Sequence, residues 1–314
     1  MKRLGSLASL SFLRGAAAAL AFSVAGLHAA EATTVGVSTR SVDIFLQALL
    51  DAVKARAGES GAEVDIANAA GDPDRQIAQV RDLIAKKVDA LIVIPASQTQ
   101  ATTMTGLAAQ ANIPIVFLNL MPKEKRFDSP VALVVSNDLV AGRLQMRLIA
   151  DRLKGSGNVV IIRGENTHPA AIGRRSGIEE VLGVTPGIKV VGDESANWDR
   201  AQAETMISGM LARGVKFDAI AAGNDEMALG AISALNKAGI APDTVVVAGV
   251  DGTPAGLEAM KAGTLDFTIL QNAAAQGARA AEDAVAMTSG KFVPQFDWVP
   301  YDLILPSNLA AYSK

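Results

Sequence analysis

Ten short runs of apolar, largely β-branched residues recur along the chain, separated by stretches with helical spacing. The runs lie at 33–38, 63–68, 89–95, 113–119, 131–136, 158–163, 188–193, 217–224, 244–251 and 265–271. Their centres, ALIVI in the third and VVAGV in the ninth, are apolar without alternation. A strand with one face in water alternates; one that does not is buried on both faces, as in a parallel sheet covered by helices. Between the runs, Val42, Phe45, Leu49 and Val53 recur at helical spacing. So do Ile77, Val80 and Ile84, and then Val140, Leu144, Leu148 and Leu153. Asp72-Pro73 and His168-Pro169 put proline where a first helical turn tolerates it. Gly155, Gly239 and Gly263 fall where helices should stop. The alternation predicts an α/β chain of right-handed βαβ units in doubly wound sheets. Ten strands crowd a single sheet, and 314 residues suffice for two cores at ~150 residues per domain. Two Rossmann-like lobes are therefore expected.

The first thirty or so residues read differently. Lys2, Arg3 and Arg14 precede an apolar run from Gly15 to Leu27, shorter than the ~20 residues of a membrane span. Ala30-Glu31-Ala32 follows as a small-residue cleavage signal, with Ala29 as an alternative cut. Residues 1–32 are expected to be a secretory signal peptide that is removed on export.

Charge and composition exclude several functions. Lys and Arg total 29 against 32 Asp and Glu, a balance of −3 that argues against nucleic acid as a partner. There is no cysteine, hence no disulfide, thiolate metal site or cysteine nucleophile. His28 and His168 are the only histidines, and no nucleophile elbow, Walker A loop, zincin helix or dinucleotide fingerprint is present. The chain is expected to be no enzyme and to need no cofactor or metal. Arg174-Arg175 reads as a solvated helix face, and His168 as the cap of a helix.

Open α/β sheets bind ligands beyond the carboxyl ends of their strands. Those ends carry Ser38-Thr39, Asn119, Ser136-Asn137-Asp138, Arg163, Trp198, Asn224-Asp225, Asp251 and Gln271-Asn272. Amides and carboxylates take several hydroxyl hydrogen bonds each, and an aromatic face covers an apolar sugar face. The same residue types also cap helices, and one side chain can do both.

At 224–231 the chain reads NDEMALGA and at 248–256 AGVDGTPAG. With VGVST at 35–39, IPIVFLN at 113–119, SND at 136–138 and Arg174-x-x-Gly177, these blocks closely resemble the periplasmic sugar-binding proteins of the ribose/galactose-binding type. Those are substrate-binding components of ABC importers. The resemblance implies two lobes joined by three crossover segments, with ligand in the cleft between them. It places the lobes at 33–137 plus 272–300 and at 138–271 plus 301–314. It implies a small carbohydrate, polyol or cyclitol as ligand, a membrane ABC permease as partner, hinge closure, and a monomer. The alternative is a sensory protein presenting its ligand to a membrane receptor.

Carried over residue by residue, the resemblance implies ligand contacts from Ser38, Phe45, Asn119, Leu120, Ile172, Trp198, Asn224, Asp251 and Gln271. Leu120 and Ile172 stand where ribose-type members carry ligand arginines, Arg174 being read as structural. A ligand less hydroxylated toward Leu120 and Ile172, and weak binding of D-ribose, are the corresponding expectations. Arg163, Glu165 and Arg174 are left open as further contacts.

Overall fold

The computed structural model describes residues 32–124, 126–127 and 129–312, so the signal-peptide segment lies outside the described residues save Ala32. The chain runs through β1 (Thr34–Thr39), α1 (Ile44–Glu59), β2 (Glu63–Asn68), α2 (Pro73–Ala85), β3 (Ala90–Ile94), α3 (Gln98–Ala111), β4 (Ile115–Leu118) and β5 (Val131–Val135). It continues as α4 (Asp138–Arg152), β6 (Gly157–Arg163), α5 (Pro169–Leu182), β7 (Ile188–Ser195), α6 (Arg200–Ala212), β8 (Ala219–Ala222), α7 (Asp225–Lys237), β9 (Val246–Asp251), α8 (Pro254–Lys261) and β10 (Phe267–Gln271). α9 (Ala273–Thr288), β11 (Phe296–Trp298) and β12 (Tyr301–Ile304) follow. Among the described residues, no helix is long and apolar enough to cross a membrane.

Two six-stranded sheets result among these residues, ordered β11-β5-β4-β3-β1-β2 and β12-β10-β9-β8-β6-β7. Every pairing is parallel except β10 with β12. The α/β two-lobed fold expected from the apolar runs is the one observed. β3, β4, β5 and β8 are buried along their whole length, the reason their sequences do not alternate. Apolar side chains cover both faces of the first sheet, Val37, Ile92 and Leu118 on one and Leu91, Val93 and Phe117 on the other. A second core surrounds the other sheet, with Ile161, Met227, Val250 and Phe267. β11 and β12 escaped the sequence reading because they are three and four residues long, lie at sheet edges, and lack a continuous buried run.

The chain passes between the sheets three times: after β5, after β10, and between β11 and β12. α9 returns to the first sheet, where it packs on α1. Each α-helix among the described residues starts at a side-chain N-cap: Asp43, Asp72, Ser97, Asn137, His168, Asp199, Asn224, Thr253 and Asn272. The caps terminate the loops that follow the strands, so each βα loop is held at the carboxyl edge of its sheet.

α4 and α5 approach so closely that their glycines are required. A Cβ on Gly142 would meet the Arg174 carbonyl oxygen at 1.9 Å, and one on Gly177 the Leu139 oxygen at 2.1 Å. Both clashes are with backbone, which cannot swing aside as a side chain can. This contact sets the depth of Arg174. Gly177→Ala is expected to cost ~1–3 kcal/mol or more in urea unfolding; an unchanged midpoint and slope would show that the helices separate freely.

Candidate ligand-binding site

The carboxyl ends of both sheets border a cavity of ≈ 230 Å³. From the first sheet come Arg40, Ser41, Asp43, Ile44 and Phe45 after β1, and Asn119 after β4. The second sheet contributes Glu165, His168, Ala170 and Arg174 after β6, and Asn197 and Trp198 after β7. Asp199 after β7, Asn224 and Glu226 after β8, Asp251 at the end of β9, Thr253 just beyond it, and Gln271 at the end of β10 complete the polar wall.

Six of the nine residues expected at the ligand line this cavity: Phe45, Asn119, Trp198, Asn224, Asp251 and Gln271. Ser38, Leu120 and Ile172 do not. Ser38 is fully buried in β1 and donates to Gln79 Oε1 of α2 at 3.3 Å, so it faces a covering helix. Leu120 is buried but lies outside the lining, one residue beyond Asn119. Ile172 is 53% exposed and lines a different cavity, beside Arg163 and Arg175. Helical register is the reason: Ala170 and Arg174 are four residues apart and share a face, whereas two residues turn ~200°. On this helix the cavity is faced by Ala170 and Arg174, while Ile172 points away from it.

Arg174 is no solvated helix residue. It is 5% exposed and anchored at four points. Nε donates to Asp138 Oδ1 at 3.0 Å, Nη2 to Gln271 Oε1 at 2.8 Å and to Tyr301 OH at 3.1 Å, and Nη1 to the Gly223 carbonyl. Its guanidinium also lies 5.5 Å from the Trp198 ring, a cation–π distance. Arg163 is held elsewhere, by Asp193 at 2.7 Å and by Asn166. Glu165 reaches the cavity.

Four lining residues hold a left-handed backbone that side chains disfavour: Asn119 at φ 66°, Asn197 at φ 52°, Trp198 at φ 65° and Asp251 at φ 118°. Such conformations cost ~1–3 kcal/mol each and persist where the surroundings over-determine them, typically at ligand sites. Gly164 makes room for the indole, since a Cβ there would come within 2.1 Å of the Trp198 ring. Asn224 both caps α7, accepting from Met227 N at 2.9 Å, and faces the cavity.

Arg40 and His168 were missed as site residues by sequence reasoning. Arg40 follows the β1 edge directly, which was the available signal. His168 caps α5, its Nδ1 accepting from Ala170 N at 3.2 Å. The neutral ring then carries its proton on Nε2, which has no partner among the described residues; nor have Arg40 Nε and Trp198 Nε1. Three buried N–H donors beside one cavity suit a ligand rich in acceptor oxygens.

A family model for the periplasmic binding protein domain matches residues 35–292. The chain belongs to that family. It is accordingly a binding protein and not an enzyme, in agreement with the absence of catalytic motifs. It is 37% identical over 309 residues to a Rhizobium meliloti protein provisionally named as rhizopine-binding, covering 96% of this chain and 98% of the relative. It is 32% identical over 272 residues to a xylitol-binding protein of Mycolicibacterium smegmatis, covering 86% and 76%. Among solved structures it resembles an ABC transporter solute-binding protein of Bacillus halodurans bound to myo-inositol: TM-score 0.82, 38% identity, 89% of this chain and 96% of the other.

The binding protein should show a pH signature from His168. Burial, then Arg40 and Arg174, lower its pKa to about 3. An unfolded histidine titrates near ~6.5, so its contribution to stability is complete above that pH and declines as the pH falls from there toward 3. From pH 7 to 5, wild type should lose about 1–2 kcal/mol more of unfolding free energy than His168→Asn, which keeps a capping oxygen. Parallel losses in urea titrations at the two pH values would place the imidazole in solvent.

Proposed function

We propose that this protein is the periplasmic substrate-binding component of an ABC importer for a small polyol, cyclitol or sugar. The observation that carries the reading is the cavity itself: polar strand ends from two sheets, an indole, and three buried N–H donors without partners. A volume of ≈ 230 Å³ equals about eight waters at ~30 Å³ each, the scale of one small ring or chain. A relative named for xylitol and a solved structure holding myo-inositol support a polyhydroxylated ligand. The lobes in this reading are 33–137 with 272–300 and 138–271 with 301–314, and ligand bridging them shifts an open–closed equilibrium toward closed. The ABC permease is then the membrane partner.

Phe45, Asn119, Arg174, Trp198, Asn224 and Asp251 are assigned as ligand contacts on this basis. Trp198 is the reporter: it lines the cavity, whereas Trp298 is 46% exposed and stacks on Phe296 at 5.9 Å.

The test is a thermal-shift screen of myo-inositol, xylitol, D-ribose and related compounds. A ligand at 100 times its Kd should stabilise by ~2.7 kcal/mol. Tryptophan fluorescence should change with the same ligand, the change vanishing in Trp198→Phe and surviving in Trp298→Phe. Asn224→Ala should weaken binding by ~1–3 kcal/mol. If no polyol or sugar in the panel moves the melting temperature at millimolar concentration, the reading is wrong.

A further inference from the structure

A chain of side-chain hydrogen bonds runs from a crossover segment to the cavity wall. Ser136, 6% exposed, follows β5; Gln276, fully buried, sits on α9; Asn119 follows β4 and lines the cavity. The chain starts at the Val299 carbonyl, between β11 and β12. A carbonyl only accepts, so the Ser136 hydroxyl spends its proton there, at 2.7 Å. Ser136 Oγ is then an acceptor for Gln276, whose amide nitrogen lies 2.9 Å away. That commits Gln276: its nitrogen faces Ser136 and its Oε1 faces Asn119. Asn119 answers with a donor, Nδ2, 3.4 Å from Gln276 Oε1. Each amide has one donating and one accepting end, so the direction of the whole chain follows from the Val299 carbonyl. The end left over is Asn119 Oδ1, for which the described residues provide no donor.

The frame that carries these side chains has little freedom. Asn119 leaves β4 at φ 66°, with its backbone N–H on the Val134 carbonyl at 2.9 Å. The Val299 N–H donates to the next carbonyl of β5, that of Val135, also at 2.9 Å. Gln276 is held from the other side. At its neighbour Gly277 a Cβ would meet the Leu49 carbonyl oxygen of α1 at 2.3 Å, so α9 is pressed against α1 at the level of the glutamine.

We propose that Gln276 and Ser136 are positioning residues that lock the Asn119 amide with its oxygen toward the cavity. An asparagine free to turn over offers a ligand either end. Locked, it is an acceptor that selects a ligand hydroxyl and turns away a ligand acceptor at that place. The inference rests on the cavity being the polyol site and gives one point of its wall a fixed polarity.

Asn119→Asp tests the lock without any ligand. It sets an acceptor against Gln276 Oε1, and Gln276 cannot turn while Ser136 holds its nitrogen. Beside Ser136→Ala the Gln276 amide is free to turn and donate to the new carboxylate. In urea unfolding at neutral pH, Asn119→Asp should lower the folding equilibrium constant about tenfold in the wild-type background, and about threefold or less in the Ser136→Ala background. Equal losses in the two backgrounds, the result for a glutamine that only fills space, would overturn the lock. Calorimetry with myo-inositol, xylitol and D-ribose gives the second readout. Any of the three that binds wild type should bind about fivefold more weakly to Gln276→Met, which keeps an unbranched side chain and loses both hydrogen bonds. Undiminished affinity would overturn the positioning role. If none of the three binds wild type, the polyol reading fails, and the unfolding comparison still decides the lock.

Discussion

One guanidinium ties the second lobe to every segment that leads to the first. Arg174 on α5 donates to Asp138 after β5, to Gln271 at the end of β10, and to Tyr301 at the start of β12. These are the three places where the chain passes between the sheets. Tyr301 OH donates onward to Asp138 Oδ1 at 2.7 Å, so two of the crossovers are also joined directly. Any rotation of one lobe against the other pivots on these segments, and the same arginine stands at the floor of the cavity. Cavity and crossover segments therefore share one buried charge, and removing it would leave Asp138 and Asp251 uncompensated.

The first sheet contributes its own fastening on the far side of the crossovers. Gln276 on α9 donates to Ser136 Oγ at 2.9 Å, Ser136 donates to the Val299 carbonyl at 2.7 Å, and Asn119 reaches Gln276 Oε1 at 3.4 Å. Asn119 is thus a cavity residue in a left-handed conformation that is bonded to the crossover network. Strain at Asn119, Trp198 and Asp251 is held in place by neighbours rather than relieved. The remainder of the fold shows the reverse, with capped helices and apolar strands whose local preferences agree with the architecture.

The ten apolar runs made the fold legible because burial on both faces erases alternation, and erased alternation is a sequence property. The short edge strands β11 and β12 carry no such signature. Within the site, the residues at strand ends were legible for a geometric reason: a strand points its last side chains at one edge of the sheet. Helix α5 was harder. Ile172 and Arg174 are two positions apart, and only the phase of the helix decides which one faces the cavity. That phase is set by Gly142 and Gly177, whose closeness to backbone on the facing helix is a tertiary fact. His168 was legible as a cap but not as a lining residue, because its free nitrogen emerges only once the other is committed to Ala170.

Asp225 and Asp251 show how two aspartates of similar motif standing divide their work. Both are buried at the edge of the second sheet, and burial raises the proton affinity of both, that of Asp225 to about 6. Asp225 is surrounded by donors from the β9–α8 loop and β10, and Gly249 and Gly256 crowd it so closely that a Cβ on either would sit within 2.2–2.4 Å of its oxygens. It orders the loop that carries Thr253 and holds the end of β9 in place. Asp251, at that end, lines the cavity in a strained conformation, with Arg174 Nη1 3.7 Å from its carboxylate. The packed carboxylate positions the open one. One carboxylate is thus spent on the loop, and the other is left facing the cavity.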